Sequence, residues 1–413
     1  MAAHVHYKVL KNRLKRLKLR MDAHINPELL LWARQTAGLS SEEAAKKAGI
    51  SHARLLKAEL GEAMLTTIQL EKYAAACRRP VAAFYLPKPP KVPQLVPDFR
   101  RLPGGGAKVL SAELRLEIRR AQQRRSEALD LAEELEEELP RFALTFSRSE
   151  STKVASLALR NYLQISLQEQ LSWGKPEKAI KEWKRAAEAV GVLVFEVSRI
   201  AVGEMRGVAL SLSPLPIAIL NGADEPSART FSLLHELAHL ALHVSAIDGG
   251  AAESLGLSEQ DAQTEMFCNE VAGEFLVPTE VLIPFLEGLE DGGLNMAGLS
   301  AAARYFSVSR EVVARRLLVN RRISYGQFQQ WHQLLKDEYE QLLKERKAKS
   351  KVSKSGPSYE VIQARNLSQT FMRLAFNAYE QDHLSLSGIS GVLGLKVRGV
   401  FALRDLVRQG RVA

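Results

Sequence analysis

Residues 235–239 read His-Glu-Leu-Ala-His, the pattern H-E-x-x-H. On an α-helix, residues four apart lie about 40° from one another around the axis and one turn up, so the imidazoles of His235 and His239 can reach one ion. Glu236 lies next to that face and can take a proton from a water at the ion. Phe231, Leu233, Leu234, Leu237, Ala238, Leu240, Ala241 and Leu242 surround the same axis on all sides, which predicts a buried helix over 226–244. Two histidines and a glutamate inside such a helix need partners that offset their desolvation, and a divalent ion serves both histidines at once.

The third ligand must come from another segment. A second predicted helix, 259–276, carries Glu259, Asp261, Glu265, Glu270 and Glu274. At about 100° per residue, Cys268, Val271, Ala272, Phe275 and Leu276 form one apolar stripe with Glu265 at its edge. Glu259, Glu270 and Glu274 fall on the opposite, polar face, and Asp261 sits in the first turn, where the helix dipole explains it. Glu265 is therefore the expected third ligand. Two histidines and one carboxylate leave a fourth position open on Zn2+, with Mn2+ as the alternative ion. His243 continues the row but lies about 12 Å up the helix from His235, too far to share its ion. We expect His243, Asn269 and Arg229 around the ligands rather than among them. Arg229, His243 and Tyr305 are candidates for stabilising a transition state, and Cys268 reads as a packed thiol near the site.

These helices need a scaffold, and the surrounding sequence reads as an α+β unit over 149–290. A helix over 178–190 precedes three strands, 192–197, 207–212 and 217–220, bounded by proline and glycine. Ile217 to Leu220 is expected at the sheet edge, where an extended substrate could add as a strand. Residues 291–340 read as helix, turn, helix. Upstream, 27–86 read as a bundle of short helices: Pro27 opens the first, Gly38 closes it, Ser40 starts the second, and Gly49-Ile-Ser51 is a tight turn into a third. That is the helix-turn-helix pattern, and it points Ser51, His52, Arg54 and Lys57 at a DNA groove. The remaining segments are a basic N-terminal extension (1–26, with Met21 an alternative start), a proline- and glycine-rich linker (87–109), a long charged helix (110–148), a basic linker (341–358) and a small C-terminal helical region (359–413). The expected fold class is thus α+β, predominantly helical and multidomain.

The chain has 413 residues with 46% hydrophobic and 25% charged composition, which excludes global disorder and implies several domains. Lys+Arg 57 against Asp+Glu 47 gives +10, an excess that suits a polyanionic partner. No stretch approaches the roughly 20 apolar residues of a membrane helix, and no apolar leader is visible. Two lone cysteines exclude a disulfide framework and a cysteine zinc ribbon. A cytoplasmic location is expected.

The segment Ala228-Arg-Thr-Phe-Ser-Leu-Leu-His-Glu-Leu-Ala-His-Leu-Ala-Leu-His243, followed by Glu265-Met-Phe-Cys-Asn-Glu-Val-Ala-Gly-Glu-Phe-Leu-Val-Pro278, resembles the ImmA/IrrE family of zinc metallopeptidases. Cys268 and Val271 stand where Ala and Phe are commoner. The resemblance implies a zincin-like core, His235, His239 and Glu265 on zinc, and Glu236 as catalytic base. Residues 27–86 and the Pro97-Asp-Phe-Arg100 arm are similar to members fused to an N-terminal XRE-type helix-turn-helix domain. Glu59-x-Gly61 persists there, without the usual Trp before that Glu or the Pro after it. For partners, the resemblance implies a helix-turn-helix repressor as substrate, cut in a stress or mobile-element response. The other reading is a DNA-binding regulator or antitoxin whose peptidase-like domain holds a cognate toxin. Neither reading calls for a membrane.

Overall fold

A computed structural model of the chain describes residues 22–89, 110–244, 246–248, 259–352 and 358–408. The cationic N-terminal run, most of the linker at 87–109 and part of the basic linker at 341–358 lie outside the described residues. The chain divides into two compact units: the first holds residues up to 95 together with 108–119, and residues from 120 onward belong to the second.

The first unit is all helix: α1 (Pro27–Ala37), α2 (Ser41–Ala48), α3 (His52–Glu59), α4 (Thr67–Ala76) and a 3-10 turn (Val81–Tyr85). Cap chemistry sets its boundaries. Asn26 accepts from the Glu28 amide, and Ser40 and Glu43 cap each other's backbone reciprocally. Gly38 and Gly49 end α1 and α2 in the left-handed region, with φ 69° and 68°. Leu29, Leu30, Ala33, Ala44, Ala48, Leu55, Leu70 and Tyr73 form the core. Full burial of a side chain such as Leu55 stabilises by roughly 2 kcal/mol. At the end of α3, Glu59 accepts from Arg34 Nε (2.6 Å) and Nη2 (2.8 Å) and from the Tyr73 hydroxyl (3.2 Å). Glu59 is thus an anchor between α1, α3 and α4, which accounts for it without a DNA contact.

The long charged helix, α5 (Ala112–Glu134), passes into the second unit at residue 120. There follow α6 (Thr152–Leu163), α7 (Leu167–Ser172), α8 (Pro176–Ala189), β1 (Leu193–Val197), β2 (Gly207–Leu210), β3 (Ile217–Asn221), α9 (Pro226–Ala241), β4 (Ala246–Asp248), α10 (Glu259–Leu276), α11 (Thr279–Glu287), α12 (Met296–Phe306), α13 (Arg310–Val319), α14 (Tyr325–Val352), α15 (Tyr359–Asn366), α16 (Gln369–Glu380), α17 (Leu386–Leu393) and α18 (Val397–Arg408). The fold is predominantly helical with one small sheet, in keeping with a zincin-like core.

The sheet order is β1-β3-β2-β4. β1 and β3 are parallel, with Leu193 opposite Ile217; β2 runs antiparallel to β3 and to β4, with Gly207 opposite Leu220 on one side and Asp248 on the other. The expectation that Ile217 to Leu220 forms an edge is therefore corrected. The chain leaves β1, lays down β2 and returns to place β3 between them. Every residue of β3 is buried, as befits an interior strand covered on both faces.

One apolar core runs from Phe146 to Trp331. It includes Leu299, Phe306, Val313 and Leu317, so the helix-turn-helix-like stretch at 291–340 is packed into the same core as the α+β unit. The second helix of that stretch, α13, buries Val312, Val313, Ala314, Arg316 and Leu317. Arg316 donates to the Val277 carbonyl (3.2 Å) and Thr279 Oγ1 (2.6 Å) and pairs with Glu274. Glu274, placed by its periodicity on a polar face, is only 8% exposed because α13 covers it. Among the described residues no single helix is long and apolar enough to cross a membrane.

Candidate metal centre

α9 opens with Pro226 as its first helical residue and ends at Ala241, and nearly every residue from Arg229 to Ala241 is buried. It packs against α8 and α10 on one side and against β2 and β3 on the other. The apolar sequence around its axis explains this enclosure, since each face meets a different neighbour. His235 and His239 are each 1% exposed and Glu236 is fully buried. α10 supplies Glu265, whose side chain is 21% exposed.

The three side chains converge. His235 Nε2 and His239 Nε2 lie 3.0 Å apart, Glu265 Oε2 lies 3.4 Å from His235 Nε2, and Glu265 Oε1 lies 3.3 Å from His239 Nε2. Their ligand atoms form one cluster with the composition of a metal site. Zinc bonds of about 2.0–2.1 Å at tetrahedral angles place neighbouring donors about 3.3–3.4 Å apart. The two nitrogen–oxygen distances match that spacing, and the 3.0 Å between the two nitrogens falls about 0.3–0.4 Å short of it. Burial by itself pushes the Glu265 carboxyl up, but the hydrogen bonds and charge of His235 and His239 outweigh it and hold the group well below the usual carboxylate range.

Glu236 projects toward the sheet. Gly207, the first residue of β2, is the point of closest approach: a β-carbon built there would lie 2.1 Å from Glu236 Oε1. The periodicity of α9 said nothing of Gly207, and its place at the head of a short apolar run, Gly-Val-Ala-Leu, was the one available signal. Cys268, one turn from Glu265 on α10, is fully buried. Burial, then the carboxylates of Glu265 and Glu236, push its thiol well above the ordinary value, so it stands as a neutral packed group beside the centre.

The other expected residues lie differently. His243 falls beyond the end of α9, with φ 56°, exposed, its Nε2 3.1 Å from Thr145 Oγ1. The row from His235 stops because the helix stops. Arg229 is held by Glu196 on β1 (2.6 Å), which also pairs with buried Lys184 and with partly exposed Arg365. Asn269 is exposed on α10. Tyr305 stacks on Phe285, with ring centroids 4.5 Å apart. None of the four is among the ligand cluster.

In the first unit, Ser51, His52, Arg54 and Lys57 are all exposed on α3 or its cap. Ser51 Oγ accepts from the Arg54 amide, His52 Nε2 lies 2.8 Å from Ser41 Oγ, and Arg54 Nη2 donates to the Met64 carbonyl (3.0 Å). Ser51, Arg54 and Lys57 line a cleft of about 600 Å³ together with Asp22 and Glu62. Two carboxylates in this cleft oppose phosphate at Arg54 and Lys57 alike, and His52 is the expected contact that does not line it.

Two family models match the chain. Residues 187–318 match the IrrE N-terminal-like domain, a peptidase family, and residues 30–84 match a helix-turn-helix family. No curated protein gives a significant match.

Proposed function

We propose that this fusion of a helix-turn-helix domain with an IrrE N-terminal-like peptidase domain is a zinc-dependent endopeptidase acting inside the cell on a regulatory protein. The observation that carries the reading is the convergence of His235, His239 and Glu265 with their donor atoms 3.0–3.4 Å apart and Glu236 buried one residue from the first ligand. His235 and His239 would hold the ion through Nε2 and Glu265 through its carboxylate. When bound, zinc supplies Lewis acidity to a scissile carbonyl and to a water molecule.

Glu236 then accepts the proton of the attacking water as the carbon–oxygen bond forms, and returns it to the amide nitrogen as the carbon–nitrogen bond breaks. Enclosure of Glu236 by α9 and β2 keeps bulk water from competing for that proton. Among the described residues, β4 is the edge strand beside β2, and an extended substrate would pair with it. Substrates of the regulatory class, a helix-turn-helix repressor above all, fit the pairing of a DNA-reading module with a peptidase in one chain. On this reading α3 of the first unit brings the protein to DNA, and cleavage relieves repression in a stress or mobile-element response.

The test is incubation of the zinc-loaded or manganese-loaded full chain with helix-turn-helix repressors from the same cell, followed by mass spectrometry of the products. Cutting by the wild type and none by Glu236→Gln is the expected result. Equal cutting by both, or an intact repressor in every condition, overturns the reading. A protein that instead holds a toxin would keep its regulatory effect in Glu236→Gln.

A further inference from the structure

The C-terminal helices repeat the geometry of the first unit. In the first unit the turn between α2 and α3 is marked by left-handed Gly49 (φ 68°), and between α17 and α18 it is marked by left-handed Gly394 (φ 63°). Each first helix is capped by a serine, Ser40 or Ser385, at the same distance before that glycine. Buried residues fall in the same register around it. Ala44, Ala48, Leu55 and Ala58 in the first unit correspond to Ile389, Leu393, Val400 and Leu403 at the C-terminus. The axes of α17 and α18 bend by 74° across the turn. Two short helices crossing steeply over a glycine turn, with one shared apolar seam, form a helix-turn-helix.

The pair α12–α13 has this register too, around Ser307 (φ 57°), but its second helix is buried against α10. In α18 the second helix is open. Val397, Arg398, Phe401 and Ala402 are exposed on it and Lys396 is exposed just before it, and among the described residues neither Lys396 nor Arg398 forms an ion pair. Between Asp382 and Asp405 the sequence has no acidic residue, while it holds His383, Lys396, Arg398 and Arg404. Ser385 and Ser387 are exposed at the start of α17, where Ser385 Oγ accepts from the Gly388 amide and lies 2.9 Å from Ser387 Oγ.

We propose that residues 385–408 are a second DNA-binding helix-turn-helix, with Lys396 and Arg398 meeting double-stranded DNA at the N-terminal end of α18. This is the end of a recognition helix that enters the major groove. Arginine there suits guanine or phosphate, and Val397 and Ala402 suit thymine methyls. A lipid surface is the weaker partner, because the most apolar residues of the pair, Ile389, Leu393, Val400 and Leu403, face inward. The inference is independent of the peptidase reading.

The experiment is anisotropy of a labelled mixed-sequence duplex about three helical turns long with the full chain, across roughly 50 to 200 mM salt. Arg54→Ala/Lys57→Ala removes cations of the N-terminal helix and provides a second background. Lys396→Ala/Arg398→Ala is expected to weaken binding about tenfold or more and to lower the salt slope by about 2, one contact per cation, in both backgrounds. Lys396→Arg/Arg398→Lys should restore the slope. Both side chains are exposed, so thermal unfolding should match the wild type, and this is checked by circular dichroism. Unchanged affinity and slope in both backgrounds overturn the proposal, as does loss of binding to anionic vesicles with DNA binding intact.

Discussion

Gly207 on β2 and Glu236 on α9 are in such close contact that a β-carbon at position 207 would lie 2.1 Å from the Glu236 carboxylate. The carboxylate's position is therefore set by a strand as well as by its own helix. Gly207→Ala should displace Glu236 while leaving the three ligands, which sit on α9 and α10, in place. A displacement of about 1 Å at a reacting group costs on the order of a hundredfold in rate. We predict such a loss in peptidase kcat with the zinc content unchanged. Full activity in Gly207→Ala would show that Glu236 needs no fixed seat.

The Glu196 carboxylate is buried on β1 between Lys184 Nζ (3.2 Å), Arg229 Nη1 (2.6 Å) and Arg365 Nε (3.4 Å). Burial alone pushes its carboxyl up; the charges of Lys184, Arg229 and Arg365 outweigh that and hold it below the usual range. A carboxylate with a depressed folded pKa adds stability above its unfolded pKa of about 4.3, and that stability is lost as pH falls through the lower folded value. Glu196→Gln should therefore lower stability at pH 7 by about 3 to 5 kcal/mol, since it leaves buried cations uncompensated. Its urea midpoint should also fall less than the wild type's on going to pH 4 and below. Parallel acid profiles for the two proteins would contradict this.

Much of the centre was legible in the sequence because helical periodicity is a local property. The spacing of His235 and His239, and the edge position of Glu265 on the stripe made by Cys268, Ala272 and Leu276, follow from 3.6 residues per turn. What was not legible depends on contacts between distant segments. β3 reads equally well as an edge or an interior strand until its pairing with β1 and β2 is known. Glu274 looks solvated until α13 brings Arg316 over it. Glu196 gathers cations from α8, α9 and α15, and no window of sequence contains them together. The C-terminal helix-turn-helix was hidden by composition: Gly388 and Gly391 inside α17 and Gly399 inside α18 make its helices weak by propensity, and tertiary burial of Ile389 and Val400 overrides that.

Arg34 grips Glu59 through Nε and Nη2. Removing the acceptor with Glu59→Ala should cost the first unit about 2 to 3 kcal/mol. In hydrogen exchange of the full chain, amides in 27–76 should lose protection while those of α9 and α10 do not. Equal protection across 27–76 in the variant would show that the pair contributes nothing to the unit's stability.

Both thiols are buried, and burial pushes Cys77 up to about 11 and Cys268 well above the ordinary value. Iodoacetamide at pH 8 should label neither in the folded protein and both in urea. Labelling of Cys268 in the folded state would place it at an open, activated position rather than packed beside Glu265.

Metal content tests the central claim most directly. After zinc loading and desalting, elemental analysis should find one zinc per chain in the wild type and in Glu236→Gln, and a large loss in His235→Ala, His239→Ala and Glu265→Ala. Retention of zinc by all three ligand variants, or none in the wild type, would contradict an ion held between α9 and α10.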